Sequence, residues 1–148
     1  MNYRLSIKED IPLLIELRKR QLIDEGQNPD VNMDQELVKF FNNHFADNTL
    51  VEWVAEEDGK IVGTAAILFF EFPPAFTNPS GIKGYITNMF TVPEYRGQGL
   101  ASELLKKVLD EARSRSVKNI LLVASDMGKP VYKKVGFEEA GDWMKMNI

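Results

Sequence analysis

The chain has 148 residues, 44% hydrophobic and 27% charged, which fits one globular domain over residues 1–148 and excludes a disordered chain. It has no cysteine, so disulfides, thiolate metal sites and a cysteine nucleophile are excluded, and no metal is expected. The formal net charge is −4 with no compensating Lys/Arg stripe, which argues against nucleic acid as a partner and leans mildly toward a cationic one.

In chain order, Met1-Asn2-Tyr3-Arg4 shows no signal-peptide pattern, so a cytoplasmic location is expected. Tyr3 to Ser6 reads as a short strand. Ser6 and Glu9 have capping-box spacing, and Ile11, Leu14, Ile15 and Leu22 then recur at helical intervals as far as Gly26. Gln27 to Asn32 is a loop. A second helix begins near Asn32 or Asp34, carries Leu37, Val38, Phe41 and Phe45 as its apolar stripe, and ends around Asp47-Asn48. The single histidine, His44, falls inside this helix, where a surface or packing role is expected; a Ser-His-Asp triad would have to form around it.

From Leu50 the period changes. Leu50–Glu57 and Lys60–Phe72 are strand-like runs joined by Asp58-Gly59, a pair suited to a tight hairpin. The apolar stretch Ile61–Phe70 is interrupted by Gly63 and Thr64 and is too short to cross a bilayer as a helix, so no membrane partner is expected. Phe72–Lys83, with Pro73, Pro74, Pro79 and Gly81, is a loop. A strand from Gly84 to Val92 is ended by Pro93. Leu100, Ala101, Leu104, Leu105, Val108, Leu109 and Ala112 then form one apolar helix face. Asn119–Ala124 reads as a buried strand, and Met127–Val135 as a short helix with Pro130 in its first turn and Gly136 as a left-handed cap. A last strand is expected over Phe137–Asn147, broken at Gly141. The order β-α-α-β-β-β-α-β-α-β predicts an α/β fold, a mixed sheet with helices on both faces.

Arg96-Gly97-Gln98-Gly99-Leu100-Ala101 joins a strand end to the start of the strongest helix. The first turn of a helix leaves backbone N–H groups without partners, and the dipole adds partial positive charge there. Gly97 and Gly99 let a phosphate approach the backbone, and Arg96 adds a charged donor, so the segment is a candidate pyrophosphate cradle or else a plain helix start. A P-loop is excluded because Leu100-Ala101, not Lys-Ser/Thr, follows Gly99. A dinucleotide fingerprint is excluded because only two glycines are present, two-thirds along the chain.

The turn resembles the acetyl-CoA signature of the GNAT acetyltransferase superfamily, Arg/Gln-x-x-Gly-x-Gly/Ala, at Arg96, Gly99 and Ala101. Val131-Tyr132-Lys133-Lys134-Val135-Gly136-Phe137 resembles that family's later Leu-Tyr-x-x-x-Gly-Phe segment, and the element order agrees over almost the whole chain. The resemblance implies transfer of acetyl from acetyl-CoA to a primary amine, most simply on a small molecule, by direct attack in a ternary complex. A catalytically idle acyl-CoA-binding module is the alternative, and the donor could also be a longer acyl-CoA. It assigns the CoA pyrophosphate to Arg96, Gly97, Gln98, Gly99, Leu100, Ala101 and Ser102, and the pantetheine arm to the backbone of Phe90, Thr91 and Val92. Tyr132 matches the family tyrosine that protonates the departing thiolate; its other reading is a ring packed under the sheet.

A lysine-like ammonium must also lose a proton, at a cost of about 4–5 kcal/mol at neutral pH if unaided. Glu71, closing the third strand, is the nearest candidate base, with Glu52, Glu56 and Glu57 read as solvated strand-edge charges. Asn88 is placed to orient the acceptor or a water, and water-mediated deprotonation is the other route. The loops Asp24–Asn32 and Phe72–Lys83 would shape the acceptor pocket. A homodimer is compatible with the resemblance, although no segment stands out as its interface.

Overall fold

The computed structural model describes residues 1–148. A five-stranded sheet runs in the order β1 (Asn2–Leu5), β2 (Leu50–Glu57), β3 (Lys60–Glu71), β4 (Ile82–Thr91) and β5 (Ile120–Leu122). The first three pairings are antiparallel and β4–β5 is parallel. Helices α1 (Ile11–Asp24) and α2 (Asp34–Ala46) follow β1, α3 (Leu100–Ser114) follows β4, and α4 (Lys129–Val135) follows β5.

The period-two alternation of the strands sorts side chains to two faces. Leu50, Val54 and Ala66 point toward α1 and α2, where they pack on Leu14, Leu17 and Phe41. Ala55, Ala65 and Ile67 point the other way, onto Leu104, Leu105 and Val108 of α3 and Tyr132 of α4. The predicted α3 stripe from Leu100 to Ala112 is buried, each fully covered leucine or valine contributing roughly 1.5–3 kcal/mol. Gly63 eases the close approach of α3 to the sheet, since a Cβ there would lie 3.2 Å from Leu104 Cδ1.

The turn chemistry follows the sequence. Asp58 and Gly59 both take positive φ (51° and 75°), as a type I′ hairpin requires. Gly136 (φ 117°) ends α4, with Phe137 N–H donating to the Tyr132 carbonyl (3.0 Å) and Gly136 N–H to that of Lys133 (3.1 Å). His44 has the packing role expected of it, with its ring against Phe40 and Nδ1 2.7 Å from the Thr49 hydroxyl.

Three expectations need correction. The Ser6–Glu9 capping box does not form. The Asp10 carboxylate instead accepts the Ile7 N–H (2.8 Å), and Arg4, bridging Asp10 and Glu56 at 2.7 Å each, fixes it there. The strand at Asn119–Ala124 shrinks to three half-buried residues, with Val123 exposed. The last strand is absent: residues 137–148 form no ladder, and Gly141 interrupts the run. Glu139 lies within 3.6 Å of Lys133, and Trp143 stands 6.1 Å from the Phe72 ring. No helix is long and apolar enough to cross a membrane.

Candidate active site

At the end of β4, Pro93–Tyr95 make one 3-10 turn, and Gly97 and Gly99 then adopt φ of 78° and 85°. This reverses the chain into α3 without a side-chain cap. As a result the backbone N–H groups of Gly97, Gln98, Gly99, Leu100, Ala101 and Ser102 have no acceptor in the protein; the first bond into the helix runs from Glu103 N–H to the Gly99 carbonyl (3.1 Å). A Cβ built on either glycine would meet no atom within 4 Å. Consecutive free donors beside open space, at the positive end of a fifteen-residue helix, suit a diphosphate. Leu100 contributes only its backbone, since its side chain is buried in the core.

Arg96, assigned to the pyrophosphate by the resemblance, is engaged within the protein. Its Nε donates to the Thr91 carbonyl (2.9 Å), its Nη2 lies 2.6 Å from Asp24, and its own N–H reaches the Pro93 carbonyl (3.2 Å). It buttresses the turn and ties it to the end of α1. Beneath it, Phe90 is buried, with the Arg20 and Arg96 guanidinium groups 5.4 and 5.6 Å from its ring centre. Val92 N–H is engaged by the Val62 carbonyl (2.9 Å). On its other side, β4 pairs with β5 only at Gly84–Ile86, so its edge from Thr87 to Thr91 has no neighbouring strand.

The middle of β4 is strained. Between the pairs Ala66–Thr87 and Thr64–Phe90, Asn88 and Met89 oppose the single residue Ala65, and Asn88 takes a left-handed φ of 54°. An asparagine tolerates this bulge geometry at a modest cost. The buried Thr64 hydroxyl donates to the Asn88 carbonyl at 2.7 Å and holds it. The Asn88 side chain accepts from the Thr87 hydroxyl (3.3 Å) and donates to Glu52 Oε2 (3.4 Å).

Glu52 therefore overturns its reading as a solvated charge: it is 2% exposed, on the face of β2 shared with Leu50 and Val54. Burial pushes its carboxyl up to about 8, with Asn88 and then Arg18 opposing the rise. Glu71, by contrast, is exposed at the last pairing of β3, opposite Ile82 and well along the ladder from the bulge. The period-two register Leu50-Glu52-Val54 carried the missing signal, a carboxylate in an apolar position. Asn88 and Thr87 line a cavity of about 170 Å³ closed by Arg18 of α1 and by Leu37, Phe40 and Phe41 of α2. A larger hollow, about 410 Å³, is lined by α1 and α2 residues including Pro12, Ile15 and Val38, and by none of the bulge.

Tyr132 is 8% exposed, its ring edge-on to Phe137 at 6.0 Å. Gly128 makes room for it, since a Cβ there would lie 2.7 Å from Tyr132 Cε2. Burial, with the charge of Glu25 next, raises its phenol to about 12, so it stays protonated at any neutral pH.

The chain is similar to known acetyltransferases in sequence and fold. Residues 14–137 match the model of the Acetyltransferase (GNAT) family. A predicted acetyltransferase from Clostridium acetobutylicum, crystallised with acetyl-CoA, superimposes with a TM-score of 0.96 at 52% identity, over 99% of this chain and 95% of that one. Among curated relatives, glucosamine 6-phosphate N-acetyltransferase of Trypanosoma brucei brucei is 30% identical over 90 residues, and rat N-acetyltransferase 8 is 33% identical over 94. Each alignment takes in 61% of this chain but only 59% and 40% of those proteins. The cofactor that the family implies, acetyl-CoA, fits the free donors and open glycines of the α3 turn. The chain belongs to the acetyltransferase (GNAT) family.

Proposed function

We propose that the chain transfers an acetyl group from acetyl-CoA to a primary amine on a small molecule, by direct attack within a ternary complex, in a cytoplasmic setting. The observation that carries this reading is the run of unpartnered N–H groups from Gly97 to Ser102, set beside the free edge of β4. Those donors hold the diphosphate, with Arg96 bracing the turn rather than acting as the main ligand. When bound, acetyl-CoA supplies the activated acetyl group as a thioester. With no cysteine in the chain, no acetyl-cysteine relay operates.

Glu52 replaces Glu71 as the proton acceptor in this reading. An ordinary carboxylate would take a proton from a lysine-like ammonium at an uphill cost of about 8 kcal/mol; raised to about 8, Glu52 does so at about 3 kcal/mol. The proton reaches it through a water that Asn88 orients, because Asn88 and not Glu52 lines the cavity. Tyr132 donates a hydrogen bond to the departing sulfur. With its phenol at about 12 and a thiol near 8.5, outright transfer would be uphill by about 5 kcal/mol, so its contribution is that of a fixed donor.

The test is calorimetric titration with acetyl-CoA and CoA, followed by thiol release over a panel of amines. Tight binding with turnover supports the reading, binding without turnover favours the idle acyl-CoA-binding module, and no binding refutes the cradle.

A further inference from the structure

The cavity against Asn88 holds a cation without a counter-ion. Arg4, Arg96, Arg113 and Arg115 each hold a carboxylate within 4 Å, and Arg20 lies exposed over Phe90. Arg18 differs: half-buried on α1, it lines the cavity, forms no ion pair, and makes a single hydrogen bond, from Nη1 to Gln21 Oε1 at 3.3 Å. A guanidinium has five N–H donors in a fixed fork that matches a carboxylate or phosphate, so most of its capacity is unused. A partly desolvated charge without a partner is costly, and a ligand that supplies one recovers that cost.

The neighbouring groups do not neutralise it. Glu52, buried behind Asn88, is largely protonated at neutral pH, and Asp10 is already committed to Arg4. With the cation, Leu37, Phe40 and Phe41 give the cavity an apolar lining, and Asn88 and Thr87 a polar one. The cavity thus combines one cation, an apolar lining and the polar residues of the bulge. Its volume of about 170 Å³ suits a compact ligand or one end of a larger one.

We propose that the amine acceptor carries an anionic group, a carboxylate or a phosphate, which Arg18 binds while the amine lies toward Asn88. The placement of the amine rests on the acetyl-transfer reading above; the anion site rests on Arg18 and the cavity alone.

The experiment compares matched amines with and without the anion: propylamine and β-alanine, ethanolamine and O-phosphoethanolamine, glucosamine and glucosamine 6-phosphate. Each is titrated calorimetrically into the CoA-bound protein and, separately, assayed for thiol release with acetyl-CoA. In the wild-type protein at least one anionic member should bind roughly tenfold to a hundredfold more tightly than its neutral partner, a preference that shrinks as salt is added. The carboxylate and phosphate pairs tell the two anions apart. Arg18→Gln should bring the ratio near one while acetyl-CoA affinity stays unchanged. Equal binding within every pair, no binding by any anionic member, or a preference that survives Arg18→Gln overturns the proposal. Anion-selective binding without acetyl transfer would keep the Arg18 site and sink the acetyl-transfer reading instead. If Arg18 acts only by tuning Glu52, the variant moves the pH profile and leaves the ratio intact, which also overturns it.

Discussion

Replacing Glu52 by glutamine separates a buried ionisable group from its neutral isostere. The carboxyl stands at about 8 in the folded chain against an ordinary 4.5, so between those values the folded state keeps a proton that the unfolded state has released. Its stabilising contribution is complete below about pH 4.5 and is lost as pH rises toward 8. The gap corresponds to about 5 kcal/mol as an upper bound, and water entering beside Asn88 would reduce it. Glutamine fills the same space, still accepts from Asn88 Nδ2 and does not titrate. Urea melts at several pH values from 5 to 8 should show the wild-type protein losing roughly 2–5 kcal/mol relative to Glu52→Gln across that range. Asp10, held below the usual carboxyl range by Arg4, contributes equally to both proteins and cancels. The same variant should lower kcat about a hundredfold and remove the acid limb, near pH 8, of the wild-type rate profile. Stability curves that run parallel would refute the buried carboxyl, and an unchanged acid limb would refute its role as base.

At Gly99, asparagine and aspartate both tolerate the left-handed backbone, so their difference isolates charge; Gly99→Asp should bind acetyl-CoA at least tenfold more weakly than Gly99→Asn, measured by calorimetry. Tyr132→Phe should reduce kcat about a hundredfold with acetyl-CoA affinity within about twofold, in steady-state assays against calorimetry. Gly128→Ala pushes a methyl into the Tyr132 ring and should cost about 1–3 kcal/mol of stability and lower kcat by roughly tenfold or more, read by thermal melts and turnover.

The elements with strong local signals were legible. The α3 stripe, the Asp58-Gly59 hairpin and the Gly136 cap each depend on residues within one or two turns of each other, and they form where expected. The glycine turn was legible for the same reason. What escaped depends on distant partners. Glu52 is three residues into a strand, and only the placement of α1 and α2 over β2 makes it a core residue. Asn88 was expected to orient the acceptor, but the bulge that aims it arises from the mismatch of β4 with β3 and the Thr64 hydroxyl. The missing last strand shows the converse: local sequence over 137–148 reads as a strand, but no partner strand is formed for it.

The engagement of Arg96 with Thr91 and Asp24 changes how losses at that position are interpreted. A mutational scan that scores only growth or turnover would credit Arg96 with gripping the cofactor, as its place in the signature suggests. The measured loss would also report a loosened turn, since Arg96 holds the Thr91 carbonyl and Asp24, while the buried face of α1 keeps that helix in place. A variant library for altered acceptors would do better to hold this joint of Arg96 and Asp24 fixed while diversifying Arg18, Leu37 and Phe40.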